Sequence, residues 1–120
     1  MSEVTTDELR NAIIDMAVES WRFRGVFQKA MSKLDAGESS RYMGQYNWFQ
    51  RKMDQALQMA GLSIVNVEGH LYDPGVAASP MNIEDFDPDV PLYIKQMIEP
   101  IIMDGERVVR QGTVMLERIE

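Results

Sequence analysis

The sequence has no cysteine and only one histidine, His70, among its 120 residues. Disulfides, zinc-thiolate sites and thiol catalysis are therefore excluded, and one chain alone cannot build a multi-histidine metal site. Long apolar runs are also missing, since no run approaches the roughly 18 apolar residues that a membrane span needs. The N-terminal residues are acidic and polar, unlike the basic-then-apolar layout of a signal peptide. The sequence predicts a cytoplasmic protein with no membrane partner.

Positive charge is scarce in one segment only. Residues 63–105 contain eight acidic residues against a single basic one, Lys95, whereas acids and bases balance in residues 1–62 and in residues 106–120. The whole net charge of −7 therefore comes from that segment. Because acidic residues repel phosphate groups, nucleic acid is not expected as a partner there. The segment either favours a basic protein surface or only keeps the domain soluble.

No recognisable pattern of catalytic or metal-binding residues is present. Aspartates alternate over residues 85–89 as at the start of a calcium loop, but Val90 stands where that loop needs glycine and Gln96 where it needs a bidentate glutamate. His70 has no nucleophile signature around it. No glycine-rich phosphate loop is found either. We expect no catalytic residue, no metal and no cofactor, and a carboxylate-dependent enzyme is the least favoured alternative.

The first predicted element is a long amphipathic helix. Thr5 and Glu8 fit a capping box that starts a helix of about thirty residues, or ~45 Å. Its apolar residues recur every three or four positions. They form a heptad-like seam of Leu9, Ile13, Met16, Ser20, Phe23, Phe27, Ala30 and Leu34. A second row beside it contains Ile14, Ala17, Trp21 and Met31.

A second helix is predicted over about residues 41–60. Residues 35–37 are expected to end the first helix, Ser39 or Ser40 to cap the second, and Gly61 to stop it. Because apolar residues lie on more than one face, this helical hairpin is expected to pair with a copy of itself as a four-helix bundle. The predicted dimer interface contains Ile13, Met16, Phe23, Phe27, Tyr46, Phe49 and Met53. The residues expected in the bundle core are Trp21, Trp48 and Phe49.

After Gly61 the pattern changes to short strand-like runs. The sequence therefore predicts an α+β chain, with a helical dimerisation region over residues 1–61 and a small all-β domain over residues 62–120. Residues 62–67 are expected to form a strand, and residues 76–91 a loop.

Residues 92–116 predict a β-hairpin. Two apolar runs flank Asp104 and Gly105, a dipeptide that suits a tight turn because both of its positions can adopt positive φ. Pro100 indicates a bulge or an edge in the first arm because it has no N–H to donate. A hairpin of this kind is marginal alone, so further strands or a helix are expected against it.

Three stretches of the chain contain distinctive motifs. In LQMAGLSIVNVEGHLYDP, residues 57–74, a predicted helix ends in glycine, a short strand follows, and then comes Tyr72-Asp73-Pro74. Residues 105–110 read GERVVR and are followed by a predicted closing strand over residues 113–116, and residues 17–24 read AVESWRFR. These stretches resemble the GrpE family, the nucleotide exchange factors of the DnaK chaperone, which has Phe-Asp-Pro at the first motif, Gly-x-Arg-Val-Leu-Arg at the second and a similar stretch in its long helix.

The resemblance implies a homodimeric co-chaperone, acting in protein folding and the stress response, that binds the nucleotide-binding domain of a DnaK-type chaperone and promotes nucleotide release. In that family, one long helix and one β-domain contact the chaperone, and neither covalent chemistry nor a cofactor is involved. By position in the resemblance, the partner-binding residues are Arg22, Arg24, Ile98, Arg107 and Leu116. The structural turn residues are Asp73, Pro74 and Gly105.

A second hypothesis keeps this fold without exchange activity. Residues 77–79, Ala-Ala-Ser, replace the family's His-Glu-Ala, and Gln111-Gly112 replaces its Pro-Ala. These departures favour an interaction or assembly module that has lost the exchange function.

The individual site residues also have simpler interpretations. Arg107 and Arg110 suit solvated charges that protect a sheet edge. Ile98 and Leu116 are of a type that more often lies in a core. The two helix arginines can pair with acids on neighbouring turns.

Overall fold

The computed structural model describes residues 3–120. Over that range two α-helices are followed by six β-strands and one 3₁₀ helix, so the predicted α+β class with helices first is confirmed. The chain divides into two compact units, a helical unit that ends at Ser63 and a β-unit, Ile64–Glu120. In the range described, no helix has the length and apolar character needed to cross a membrane.

Helix α1, Thr6–Met31, begins where the sequence predicts. The Glu8 N–H donates to Thr5 Oγ1 at 3.0 Å, and the Thr5 N–H donates to Glu8 Oε1 at 3.4 Å. This reciprocal pair is the predicted capping box, and it satisfies N–H groups that the first turn of a helix leaves without partners.

The start of helix α2, Ala36–Met59, differs from the prediction. Asp35 is its N-cap, because Asp35 Oδ1 accepts the Glu38 N–H at 2.9 Å. Ser39 and Ser40 lie inside the helix and do not cap it. The assignment of residues 35–37 to the end of the first helix was therefore wrong. An aspartate followed three residues later by a glutamate is itself a helix-start signal, and here it prevails over Gly37 as a stop.

Gly61 ends α2 as predicted. It has a φ of +74°, which glycine adopts without the clash that a Cβ causes. The Leu62 N–H donates to the Leu57 carbonyl at 2.9 Å and the Gly61 N–H to the Gln58 carbonyl at 3.0 Å, the two bonds of a Schellman motif. Leu57 and Leu62 are both buried, as the apolar contact of this motif requires.

The buried face of α1 is not the heptad-like seam. The buried residues are Ile14, Ala17, Val18 and Trp21, which are largely the second row. Met16 and Phe23 on the seam are 64% and 59% exposed. Trp21 is buried, whereas Trp48 is 56% exposed and Phe49 is exposed in the single chain, so their position in the core of a two-chain bundle stays a prediction. Both rows have helical spacing, so spacing alone did not show which one the second helix covers.

The β-unit contains two three-stranded sheets. Its strands are β1 Ser63–Val65, β2 Ala78–Pro80, β3 Leu92–Glu99, β4 Ile101–Asp104, β5 Arg107–Arg110 and β6 Gly112–Arg118. One sheet has the order β1-β4-β5 and the other β2-β6-β3. β2 pairs with β6 in parallel, whereas β3 with β6 and β4 with β5 are antiparallel.

The predicted hairpin is divided between these sheets. β4 and β5 pair around the turn, while β3 and β6 pair in the other sheet. Pro100 separates β3 from β4, and Gln111 separates β5 from β6. Gly112 lies at the crossing, where a Cβ would stand 2.8 Å from the Glu99 carbonyl oxygen and 2.9 Å from Ile101 Cγ1. The two arms therefore approach each other more closely than any other residue at position 112 permits.

The turn itself is shifted by one residue from the prediction. Asp104 pairs with Arg107, so the two central positions are Gly105 and Glu106. Gly105 has a φ of +60°, and no non-glycine residue in the described range has positive φ. Asp104 is therefore the last strand residue before the turn and does not adopt the positive φ that the predicted turn permits there. Glycine alone at the first central position is the pattern of a type II′ turn, which matches the twist of the flanking strands.

The loop predicted for residues 76–91 contains regular structure. β2 lies against β6 with Ala78 opposite Gly112 and Pro80 opposite Val114, and a 3₁₀ helix follows at Ile83–Asp85. Pro80 is tolerated because β2 is an edge strand, where a missing N–H need not break a ladder. A three-residue strand that pairs with a distant partner leaves no periodic signal in the sequence.

Candidate functional site

A groove of about 890 Å³ lies on the face of β3 and β6 opposite to the core. Ile94, Val114 and Leu116 point inward and are buried. The alternate residues Tyr93, Lys95, Met115 and Glu117 line the groove from below. We refer to this concave surface as the β3–β6 groove.

One wall of the groove is the segment Gly69–Tyr72, which extends the sheet at the free edge of β3. The Gly69 N–H donates to the Ile94 carbonyl at 2.7 Å, and the Tyr72 N–H donates to the Leu92 carbonyl at 2.9 Å. Leu71 pairs opposite Tyr93 in this short bridge and is 70% exposed. The motif with Tyr72-Asp73-Pro74 therefore holds a leucine side chain at the rim.

The other wall begins at Asn82, which continues the β2 ladder after Pro80. The Asn82 Nδ2 group donates to the Leu116 carbonyl, and the Leu116 N–H donates to Asn82 Oδ1, both at 2.9 Å. The side-chain amide thus replaces one strand residue. Phe86, just after the 3₁₀ helix, completes this wall.

Tyr93, Lys95 and Glu117 form a linked polar group on the groove floor. The Tyr93 hydroxyl donates to Glu117 Oε2, and Lys95 Nζ lies 3.3 Å from Glu117 Oε1. The bond from Tyr93, together with Lys95, lowers the pKa of Glu117 below its ordinary value. The same bond to Glu117 raises the pKa of the Tyr93 hydroxyl. Glu117 is therefore held ionised and already has two partners.

A bulge on β3 determines the position of Ile98. Between the pairs of Met97 with Val114 and Glu99 with Thr113, Ile98 is the extra residue on β3. Glu68 Oε2 accepts the Met97 N–H at 2.9 Å beside this bulge. Bulges of this kind redirect a side chain, and Ile98 is half-buried here.

The remaining predicted partner-binding residues do not form one cluster. Arg22 is exposed on α1, and the Arg24 guanidinium lies 4.4 Å from the Trp21 ring centroid, within cation–π range. Arg107 is exposed and 3.5 Å from Asp104. Leu116 is only 3% exposed. Its side chain packs in the β-unit core, so its assignment as a surface contact was wrong.

Asp73 shapes the turn after the Gly69–Tyr72 segment. Its Oδ1 accepts the Gly75 N–H at 2.7 Å, and its carbonyl accepts the Val76 N–H at 2.9 Å. This is an Asx-turn, in which a short acidic side chain imitates a backbone turn. Pro74 fixes φ between these two bonds.

The helical unit has a row of four aromatic side chains that links its two helices. The ring centroids of Phe27 and Tyr46 are 5.4 Å apart, with Phe23 6.2 Å from Phe27 and Phe49 6.4 Å from Tyr46. Burial raises the pKa of the Tyr46 hydroxyl. The predicted interface residues on this row therefore range from buried Tyr46 to exposed Phe23, and Ile13 and Met53 are half-buried.

Sequence reasoning missed Asn82, Tyr93 and Glu117. Their partners lie 24 or 34 residues away along the chain, so no local spacing indicated the contacts. The alternation of Tyr93 with buried neighbours was the one available signal, because it places the tyrosine on the face away from the core.

Over residues 3–120, no three histidine, aspartate or glutamate side chains are grouped so that they could hold a metal ion. The groove is instead lined by apolar side chains and a few paired charges, and side chains at its rim are exposed. These are features of a binding surface. No family model, curated protein or solved structure matches this chain.

Proposed function

We propose that this protein is a divergent, GrpE-like co-chaperone of the cytoplasm that binds the nucleotide-binding domain of a DnaK-type chaperone and promotes nucleotide release. The observation that carries the proposal is the matched pair of motifs, Tyr72-Asp73-Pro74 and residues 105–110. In the β-unit, Asp73 of the first motif forms an Asx-turn. Residues 105–110 form the turn and the second strand of the β4–β5 hairpin. Both are suited to presenting side chains in fixed positions.

Nucleotide release by such a protein requires no covalent step. A partner that binds the open form of a nucleotide-binding domain more tightly than the closed form shifts the population toward the open form. The shift is limited by the difference between the two affinities. The proposed contacts are Arg22 and Arg24 on α1 and Ile98 and Arg107 on the β-unit, where arginine and apolar anchors within a polar rim suit a protein interface.

We further propose that two copies pair through their helices. Leu9, Met16 and Phe23 follow one another at seven-residue intervals, so they lie on one stripe of α1, and all three are exposed. An apolar stripe that one chain leaves uncovered is suited to the same stripe of a second chain related by twofold symmetry.

The exchange activity is tested with a DnaK-type chaperone loaded with a fluorescent nucleotide. Adding the protein is expected to accelerate the fluorescence decrease that reports nucleotide release. Arg107→Ala is expected to reduce the acceleration about fivefold or more, as removing an interface anchor worth about 1 kcal/mol does. Arg51→Ala, an exposed arginine of α2 outside the proposed contacts, is the matched control. Absence of both acceleration and a detectable complex would contradict the proposal.

The alternative, an assembly module of the same fold without exchange activity, has its own supporting observation. An alanine at position 112, as the family has in the resemblance, would bring a Cβ to 2.8 Å from the Glu99 carbonyl oxygen, so this crossing does not accept the family's residue without a shift. Residues 77–79, which also depart from the family, lie next to this crossing, with Ala78 opposite Gly112. A stable complex with the chaperone that leaves the release rate unchanged would favour this alternative.

A further inference from the structure

We propose that the β3–β6 groove is a docking site for an amphipathic helix of a partner protein, with basic residues beside its apolar stripe. The groove has a floor of β-strand residues, one wall held by backbone hydrogen bonds and another held by the Asn82 side-chain amide. Its width, its exposed apolar side chains and its charge each point to that occupant.

The width of the groove suits one helix. Leu71 lies opposite Tyr93, Tyr93 opposite Glu117, and Asn82 is bonded to the backbone of the same strand as Glu117. The two walls are therefore three strand spacings apart, or ~14 Å at about 4.8 Å each. An α-helix with its side chains is about 10–12 Å across, which fits between the walls.

The groove exposes apolar surface that the core does not use. Leu71 stands at one rim, Phe86 forms part of the opposite wall, and Met115 and Ile119 line the space between them. Leu71 and Ile119 are exposed, although the same unit buries a separate core. An apolar helix stripe fills such a groove with residues spaced by three and four positions.

The charge around the groove favours a basic partner. Glu117 and Glu120 line it, and a smaller pocket of about 150 Å³ that shares Phe86 and Arg118 adds Asp85 and Asp87. The opposing cations are Lys95 and Arg118, and Lys95 is already paired with Glu117. Carboxylates thus outnumber cations at the rim, and lysine or arginine flanking the apolar stripe of a helix would find complementary charge.

This inference does not depend on the proposed exchange function. The residues proposed to contact the chaperone, Arg22, Arg24, Ile98 and Arg107, are not part of the groove lining. Helix binding at the groove and nucleotide release can therefore be present or absent independently.

The test uses a synthetic fluorescent peptide of leucine and lysine, with leucine at i, i+3, i+4 and i+7, and the full chain. Binding is measured by fluorescence anisotropy at about 0.15 M ionic strength, where long-range attraction is largely screened. Two peptides serve as controls: one with glutamate in place of lysine, and one with the same leucines and lysines in an order without a stripe. Only the leucine–lysine helix is expected to bind tightly.

Leu71→Glu is the decisive variant, because Leu71 is a rim residue 70% exposed and its replacement leaves the core intact. The new carboxylate strengthens general attraction for a cationic peptide but removes an apolar contact, so weaker binding identifies the groove. We expect binding at least tenfold weaker, and a similar loss for Met115→Glu. Met59→Glu is the matched control, since Met59 is 90% exposed on α2.

Amide chemical shifts locate the bound peptide. Changes are expected in Tyr93 to Gln96 and in Met115 to Ile119. Equal binding of the control peptides, unchanged binding by Leu71→Glu, or shift changes concentrated in α1 and α2 would each overturn the proposal. If Met115→Glu unfolds the β-unit, Leu71→Glu and the shift changes still decide the question.

Discussion

At the scale of single residues, Gly112 carries the most specific constraint in the β-unit. Glycine is needed here because there is no room for a side chain, not because of its conformational freedom. A Cβ at position 112 would lie too close to both the Glu99 carbonyl and the Ile101 side chain. The first of these neighbours is backbone, which cannot move aside as a flexible side chain can. The sheet crossing therefore depends on the absence of one methyl group.

Gly112→Ala is expected to destabilise the β-unit by about 1–3 kcal/mol, the usual cost of forcing extra atoms into a packed site. Urea denaturation with a probe in the β-unit measures the change. Gly44→Ala is the control, because a Cβ at Gly44 in α2 would meet nothing within 4 Å and alanine is the better helix former. The control is expected to be neutral or stabilising, and equal effects of both substitutions would contradict the close approach at Gly112.

At the same scale, Asn82 shows how one polar side chain can replace the hydrogen bonds of a strand residue. One side-chain amide satisfies both the N–H and the carbonyl of Leu116, where the parallel pairing of β2 has already ended. Leaving the buried N–H or carbonyl of a strand without a partner costs free energy comparable to that of a hydrogen bond. The groove wall is therefore maintained by a residue type that sequence patterns alone assign to a turn.

At the scale of elements, local hydrogen bonds decide where each helix begins, whereas tertiary contacts decide which of its faces is buried. Thr5 and Asp35 both accept an N–H from the residue three positions on. Each bond closes within one helical turn, so each is readable from adjacent residues. The choice between the two apolar rows of α1 depends instead on α2, and the row with Ile14 and Trp21 is the one that is covered.

Asp35→Ala is expected to lower the stability of the helical unit by about 1 kcal/mol, since it removes the N-cap acceptor. Far-UV circular dichroism during urea denaturation measures the effect. Ser39→Ala is the paired variant: Ser39 lies within α2, so alanine there is expected to cost little or nothing. A larger loss from Ser39→Ala than from Asp35→Ala would restore the original assignment of the cap.

At the scale of the whole molecule, the two units expose surfaces of different chemistry. The helical unit exposes an apolar stripe with Met16 and Phe23, and the β-unit exposes the β3–β6 groove beside Asp85 and Asp87. Neither surface is explained by the packing of its own unit. Both are therefore the regions where we propose contacts with other chains.

Light scattering is expected to give the mass of two chains, and Phe23→Glu or Met16→Glu is expected to give the mass of one. A charge placed in the centre of an apolar interface is desolvated without a partner, which outweighs the contacts that remain. Asn11→Glu, an exposed change on another face of α1, is expected to leave the dimer intact. A single-chain mass for the unaltered protein would contradict the proposed pairing.

Much of the fold followed from local patterns. The capping box at Thr5, the end of α2 at Gly61 and the order of helices before strands were predicted, because each depends on residues close in sequence. The errors share the opposite property. β2 within residues 76–91 was missed since its partner strand begins more than thirty positions later, at Gly112.

The sequence by itself determined where α1 begins, where α2 ends and that a tight turn occurs near Gly105, because backbone geometry and short-range hydrogen bonds decide these features. Only the tertiary structure decided that the hairpin arms separate into two sheets, that Leu116 is buried, and that Leu71 and Phe86 face each other across a groove. These features depend on strand register and on contacts between distant residues. Until a strand pairs with its partner, its register is not fixed, and a given side chain can lie on either face of the sheet.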